Sequence, residues 1–140
     1  MPYEEVQHTA DWSLRVWAAN MNELFAEAAR GMNALTGARP VLDVAEGQVP
    51  GPVTHRAFEA AAPDPESLLV SFLSELVFAA EHEHLVFENF EVEVDGQTLK
   101  VEMDGALLAS VNKTIKAVTY HNLHIQRTER GYEVEIVFDV

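Results

Sequence analysis

One stretch decides the fold class of this chain: Phe90-Glu91-Val92-Glu93-Val94-Asp95-Gly96-Gln97-Thr98-Leu99-Lys100-Val101-Glu102-Met103. Apolar and charged residues alternate on both sides of Asp95-Gly96, a dipeptide that tolerates the positive φ of a tight turn. The pattern therefore predicts an antiparallel hairpin of strands 90–94 and 99–103. Asp104-Gly105 predicts a second turn directly after it, and residues 106–113 give no decisive pattern.

Further β-rich runs lie on both sides of this hairpin. Trp12 to Trp17 alternates as a strand does, and residues 53–58 predict a shorter strand. Residues 115–126 and 132–139 are two more β-rich runs, and the polar residues 128–131 between them predict a closing hairpin.

Two helices are predicted between the strands. Asn20 with Glu23 has the form of a helix start, and apolar residues then recur at helical spacing until Gly37. Asp64-Pro65 starts a second helix with a broad apolar face over residues 68–80. The acidic and histidine-rich tract 81–84 after it predicts a frayed helix end rather than a metal site, because neighbouring helix residues point to different sides.

The order of these elements predicts an α+β fold. Strand, helix, strand, helix and a run of strands make a two-layer sandwich, with a mostly antiparallel or mixed sheet and two helices packed on one face. The chain has 140 residues, close to the usual size of one compact domain, so residues 1–140 are expected to form a single domain.

Composition excludes several functional classes. Nine basic and 23 acidic residues give a net charge of −14, which repels a phosphate backbone, so direct nucleic-acid binding is not expected. The absence of cysteine removes disulfides, thiolate metal sites and thiol catalysis. The acidic N-terminus lacks the form of a secretory signal, and no apolar run is long enough to span a bilayer. A cytoplasmic protein without a membrane segment is expected.

The two ends of the chain carry the first candidate site. Asp11 directly precedes the first predicted strand, and Asp139 and Val140 end the last one. From the spacing alone, the simpler interpretation is that Asp11 and Asp139 are solvent-exposed acids at strand ends, without a shared function. If the two strands are neighbours, however, carboxylates about 4 Å apart repel by roughly 4 kcal/mol at an effective dielectric of 20. A divalent cation would then offset the repulsion, and oxygen ligands favour Ca²⁺ or Mg²⁺, with Mn²⁺ as a third candidate.

The run from Lys116 to Leu123 carries polar groups on both faces of its predicted strand. One face holds Thr119, His121, Leu123 and Ile125, and the other holds Lys116, Val118, Tyr120, Asn122 and His124. These groups form an ordinary solvated face, or they present hydrogen-bond donors to a partner or ligand. The residues alone favour neither interpretation.

Four segments together are similar to a known family. They are His8-Thr9-Ala10-Asp11, the stretch from Leu68 to Leu76, the run Ile115-Lys116-Ala117-Val118-Thr119-Tyr120-His121 and the terminal Val137-Phe138-Asp139-Val140. In this order, from about residue 5 to the C-terminus, they resemble the archease family.

The resemblance implies an accessory protein of the RtcB-type RNA ligase, which joins RNA ends in tRNA splicing or RNA repair with GTP and a divalent metal. Such a protein is not itself an enzyme; it promotes guanylylation of the ligase and allows multiple turnover. The positions that match the family's metal ligands are Asp11, Asp139 and Val140, and Ca²⁺ is the expected ion. The contacts expected with the partner or its GTP site are made by His8, Lys116, Tyr120 and His121.

Two other functions stay open at this stage. Relatives have also been proposed as chaperone-like modulators of a tRNA-modifying enzyme such as a tRNA methyltransferase. A stand-alone metal-dependent hydrolase would need a general base, and no residue can be assigned that role. The chain also departs from the family pattern, with Thr114 where an acidic residue is usual, a short apolar run at 106–113, and Ser74 in place of Asn.

Overall fold

The computed structural model describes residues 2–7, 12–41 and 54–140. In these segments the strands are β1 (Tyr3–Gln7), β2 (Trp12–Ala18), β3 (Arg39–Pro40), β4 (Thr54–Ala61), β5 (Leu85–Asp95), β6 (Thr98–Ser110), β7 (Ala117–Val118), β8 (Gln126–Thr128) and β9 (Gly131–Asp139). The helices are α1 (Met21–Thr36) and α2 (Pro65–Phe78), and α2 continues into a π-helical turn, Ala79–Glu83.

The described strands form two antiparallel sheets. The first has the order β1-β2-β9-β7, with β8 also pairing with β9; in the second, β3, β4 and β5 all pair with β6. Helix α1 contacts β2 and β5, and α2 contacts β4 and β7, so each helix contacts both sheets. The predicted α+β class with antiparallel strands and two helices is confirmed. No described helix meets the length and hydropathy that a membrane crossing requires.

The hairpin that the alternating stretch predicts is present. Val92 is the Cα partner of Val101, and Asp95 is the partner of Thr98. Gly96 has a φ of 61°, the left-handed conformation that a glycine adopts without cost in such a turn. The closing hairpin of β8 and β9 is also present, with Thr128 opposite Gly131. Strand β1 was not predicted; it pairs with β2 along its whole length.

The predicted second turn at Asp104-Gly105 is wrong. Strand β6 continues through both residues to Ser110. Gly105 lies against the Phe87 side chain, where a Cβ on the glycine would lie 2.6 Å from the ring carbon Cε1. The glycine is therefore needed for a close approach between strands rather than for a turn.

Both helices begin as predicted. The Asn20 side chain accepts a hydrogen bond from the backbone N–H of Glu23 at 2.9 Å, and the Asp64 side chain accepts one from the N–H of Ser67 at 2.7 Å. Helix α1 ends at Gly37, whose φ of 68° forms the left-handed cap.

The end of α2 differs from the prediction of a frayed terminus. Residues 79–83 form a regular π-helical turn. Glu83 in this turn accepts two hydrogen bonds from the Arg56 guanidinium of β4, at 2.8 and 2.7 Å. This paired contact raises the pKa of Arg56 and lowers the pKa of Glu83. The turn is thereby fixed to the second sheet.

One hydrophobic core joins the helices to both sheets. Phe72 of α2 lies at its centre, with its ring 6.5 Å from that of Phe25 on α1 and 5.8 Å from that of Phe90 on β5. The first sheet contributes the buried side chains of Val134, Ile136 and Phe138. These three residues are the core face that the alternation of the last strand predicts.

Candidate functional site

The beginning of β2 lies beside the end of β9. Trp12, the residue that follows Asp11, is the Cα partner of Phe138, the residue that precedes Asp139. The pairing continues with Ser13 opposite Val137. The two strands whose ends carry the candidate carboxylates are therefore direct neighbours in the first sheet.

Asp139 ends β9 with its side chain exposed. Its carbonyl accepts a hydrogen bond from the N–H of Lys116 at 2.8 Å, and Ala117 is its Cα partner on β7. Its carboxylate is exposed and therefore accessible to a cation or a partner. Val140 follows and is half-buried.

A buried hydroxyl faces the same side of the sheet as Asp139. Ser13 is fully buried, and its Oγ has no hydrogen-bond partner within the described residues. Leu14 and Val16 point into the core, so strand alternation turns Ser13 to the opposite face of the sheet. Val137, the Cα partner of Ser13, points to that face as well, and so does Asp139 two residues later. Ser13 was not among the site residues predicted from the sequence. The signal that could have identified it is its position as a polar residue within a mostly apolar strand.

The strand predicted over residues 115–126 is largely wrong. Only Ala117–Val118 and Gln126–Thr128 are strand. Thr119 uses both its N–H and its hydroxyl to bond the Val137 carbonyl, at 3.0 and 2.9 Å. The chain then turns, with Asn122 at a φ of 51° and the N–H of Leu123 bonded to the carbonyl of Tyr120 at 3.1 Å.

This turn removes the two-faced arrangement expected for residues 116–124. Lys116 is exposed while Val118 is buried, although the alternation placed them on one face. Tyr120 is 59% exposed, and His121 is exposed beside it. The turn therefore presents a phenol and an imidazole to solvent at the edge of the first sheet. The N–H of His121 also bonds to the Thr119 hydroxyl at 3.3 Å, and this local bond and the turn itself replace the strand pairing that the sequence pattern favoured.

Helix α2 holds the far end of this turn. The Glu66 carboxylate accepts a hydrogen bond from the N–H of Ile125 at 2.9 Å and lies 3.7 Å from the ring nitrogen Nδ1 of His124. Glu66 lies in the first turn of α2, and nothing in the sequence pattern indicated its long-range contact.

A cation–π contact borders the carboxylate end of the site. The Lys113 ammonium lies 3.6 Å from the centroid of the Trp12 ring. This distance is well within the range in which a lysine is attracted to an indole. The chain that follows β6 is thereby joined to the beginning of β2.

Two of the predicted site residues, His8 and Asp11, lie outside the described residues. The described segments contain no group of three or more histidine, aspartate or glutamate side chains arranged to hold a metal. What they supply is the exposed Asp139 carboxylate, the main-chain oxygen of Val140 and, on the same face of the sheet as Asp139, the hydroxyl of Ser13, which has no partner among the described residues. All are oxygen donors, and this donor chemistry fits a hard divalent cation such as Ca²⁺.

Comparison with known proteins identifies one family. The model of the Archease protein family (MTH1598/TM1083) matches residues 3–140. The protein archease of Methanopyrus kandleri is 33% identical over 153 residues, with 100% of both chains covered. The protein archease of Methanosarcina mazei is also 33% identical, covering 99% of this chain and 95% of its own.

Solved structures share the fold. The solution structure of Methanobacterium thermoautotrophicum protein 1598 matches with a TM-score of 0.71 and 24% identity, covering 99% of both chains. The crystal structure of TM1083 from Thermotoga maritima, described as an archease and possible chaperone, matches with a TM-score of 0.68 and 18% identity. It covers 98% of this chain and 96% of its own.

Proposed function

Because this chain belongs to the archease family, we propose that it is a cytoplasmic accessory protein of a GTP-dependent RtcB-type RNA ligase. It promotes guanylylation of the ligase and multiple turnover in tRNA splicing or RNA repair, and it is not itself an enzyme. The observation that carries the proposal is the family match over residues 3–140. The pairing of Trp12 with Phe138 supports the position of the metal site.

The residues proposed to hold the divalent cation are Asp11, Asp139 and Val140. Lys116 lies next to Asp139 in the pairing with β9, and its side chain is exposed. When bound, the cation supplies charge that orients triphosphate oxygens and offsets charge that develops during nucleotidyl transfer.

The neighbouring polar side chains serve the contact with the ligase. Lys116 adds a positive charge that reaches a phosphate, and Tyr120 and His121 offer donors from the exposed turn at the sheet edge. The net charge of −14 suits a partner that grips RNA, because such a partner presents basic surface and complementary charge speeds the encounter.

A guanylylation assay with the cognate ligase tests the proposal. The purified protein should accelerate formation of the ligase–GMP adduct, and Asp11→Ala and Asp139→Ala should each abolish the stimulation. Glu93→Ala, which removes an exposed carboxylate from β5, is the matched control and should stimulate as the wild type does. Full stimulation by both aspartate variants would refute the metal role, and no stimulation by the wild type would refute the ligase partnership.

The alternative function is that of a chaperone-like modulator of a tRNA-modifying enzyme such as a tRNA methyltransferase. The description of the Thermotoga maritima structure as a possible chaperone favours it. It predicts that the protein suppresses aggregation of that enzyme without GTP. Co-purification followed by identification of the bound protein separates the two functions.

A further inference from the structure

A cavity of about 330 Å³ lies between the ends of the two helices, and Lys113 connects its wall to the border of the site at the end of β9. Its walls come from the last turn of α1, the end of α2 with the π-helical turn, the beginning of β5 and the chain from the end of β6 to Ile115. At about 30 Å³ for each water-sized group, the cavity has room for roughly eleven heavy atoms. This volume falls within the range of small-molecule sites.

The body of the cavity is apolar. Its hydrocarbon surface is provided by Met32, Leu76, Val77, Leu85, Phe87 and Ile115. Apolar walls of this kind favour the binding of small aromatic or aliphatic molecules, because binding removes hydrocarbon surface from water.

The α1 wall offers two hydrogen-bond acceptors. One N–H of the Asn33 side-chain amide donates to the Phe87 carbonyl at 2.9 Å, which fixes the orientation of the amide and leaves its Oδ1 to accept and its second N–H to donate. The Thr36 hydroxyl donates to the carbonyls of Met32 and Asn33, so it too is left with acceptor capacity. Helix α1 ends here without a basic residue in its last turn, and the negative end of its dipole adds to this preference.

The charges around the cavity are balanced. Glu81 and Lys113 both line it, and the Lys113 ammonium is already held against the Trp12 ring. His84 also lines it, with its side chain exposed. Among the described residues that line the cavity, no lysine or arginine other than Lys113 is present to attract an anionic ligand, and the chain as a whole carries a net charge of −14.

We propose that this cavity binds a small, uncharged, mostly apolar ligand that carries one hydrogen-bond donor, with the donor directed to Asn33 Oδ1. The ligand class is that of an alkylphenol or a short aliphatic alcohol or amide. This binding does not depend on the ligase partnership or on a metal.

Methyl NMR titration of the full chain tests the proposal with three probes that share one apolar body. These are 4-ethylphenol, 4-ethylanisole, in which the donor is methylated, and 4-ethylbenzoate, which is anionic. We expect 4-ethylphenol to shift the methyl resonances of Met32, Val77 and Ile115 and to bind about tenfold more tightly than 4-ethylanisole, the effect of one buried hydrogen bond. We expect 4-ethylbenzoate to bind more weakly than both.

Three variants locate the binding. Ala80→Leu fills the cavity from the π-helical turn and should abolish the shifts, whereas the same change at the exposed Ala57 of β4 should leave them intact. Asn33→Leu should reduce the affinity for 4-ethylphenol to that for 4-ethylanisole.

Equal affinities of the wild type for the phenol and the anisole would overturn the role of the donor. Shifts confined to other methyl groups, or unchanged by Ala80→Leu, would overturn the site.

Discussion

Arg56 and Glu83 connect two elements that are far apart in sequence. The guanidinium on β4 binds both carboxylate oxygens of the π-helical turn, lies 5.0 Å above the Phe87 ring and is 3.7 Å from the Glu75 carboxylate. The turn that forms one wall of the cavity is therefore held in place by the second sheet. A planar, bidentate contact of this kind is specific to arginine.

Replacing Arg56 with lysine should loosen the π-helical turn while leaving the fold intact. A lysine keeps the charge but cannot bond both oxygens of Glu83 in one plane or stack on Phe87 in the same way. Hydrogen exchange should speed up at the amides of residues 79–84 and stay unchanged in the β5–β6 hairpin. Equal protection of the turn in the variant and the wild type would contradict this role of the arginine.

Gly105→Ala should destabilise the protein by about 1–3 kcal/mol, the usual cost of forcing extra volume into a packed interior. The added methyl group would meet the Phe87 ring at 2.6 Å. Urea denaturation monitored by circular dichroism gives the free energy of unfolding. The combination with Phe87→Leu should cost less than the sum of the two single changes, because the ring that causes the clash is gone. Strict additivity would show that the glycine is needed for another reason.

The pairing of His55 should make stability depend on pH. Hydrogen bonds from the His55 imidazole to the carboxylates of Asp104 at 3.0 Å and Glu102 at 3.3 Å raise the pKa of His55 above its ordinary value of about 6.5. The charged imidazole therefore contributes fully to the free energy of unfolding below pH 6.5, and this contribution is lost as the pH rises through the raised pKa. The same contact lowers the pKa of Asp104, whose contribution is lost only as the pH falls through that lowered pKa.

Urea denaturation from pH 5.5 to 8.5, compared with His55→Gln, measures this effect. The stability difference between wild type and variant should shrink as the pH rises. An NMR titration of the imidazole should also give a pKa above the ordinary value, and Glu102→Gln should move it part of the way back. A stability difference between wild type and His55→Gln that grows with pH would contradict a raised pKa for His55.

Asp64→Ala should destabilise the protein by about 1 kcal/mol through loss of the α2 cap. Its carboxylate accepts the N–H of Ser67 at 2.7 Å, and no other residue of the described chain is bonded to that N–H. Asp64→Asn is the control, since the asparagine side chain also caps well, and it should recover most of the lost stability. Equal losses in the two variants would show that the charge matters and the cap does not.

Calcium should stabilise the protein if the proposed metal site is correct. A ligand that binds only the folded state adds about 2.7 kcal/mol to the free energy of unfolding when its concentration is 100 times its Kd. Thermal denaturation should show a rise in Tm with added Ca²⁺ that is lost in Asp139→Asn and kept in Glu93→Gln. An equal rise in both variants would place the bound calcium elsewhere.

The sequence could predict the elements whose signals are local. The hairpin around Gly96, the caps at Asn20 and Asp64 and the core face of β9 each depend on residues within a few positions of one another. The expected site was less accessible to such reasoning. The run after Lys116 is rich in β-forming residues, but the turn at residues 120–123 ends its pairing with β9. The Ile125 N–H then bonds to Glu66 of α2, a contact that no local signal announces.

What the sequence by itself determined is therefore the α+β class, the starts of both helices and the resemblance to the family, because capping, turn chemistry, alternation and motifs depend on near neighbours in the chain. The tertiary structure alone decided that Gly105 faces an aromatic ring and that Ser13 is buried without a partner in the described segments. It also decided that Trp12 lies opposite Phe138 and that a cavity separates the helix ends. These features arise where segments distant in sequence pack together, and packing depends on the shape of the whole core rather than on any single pattern.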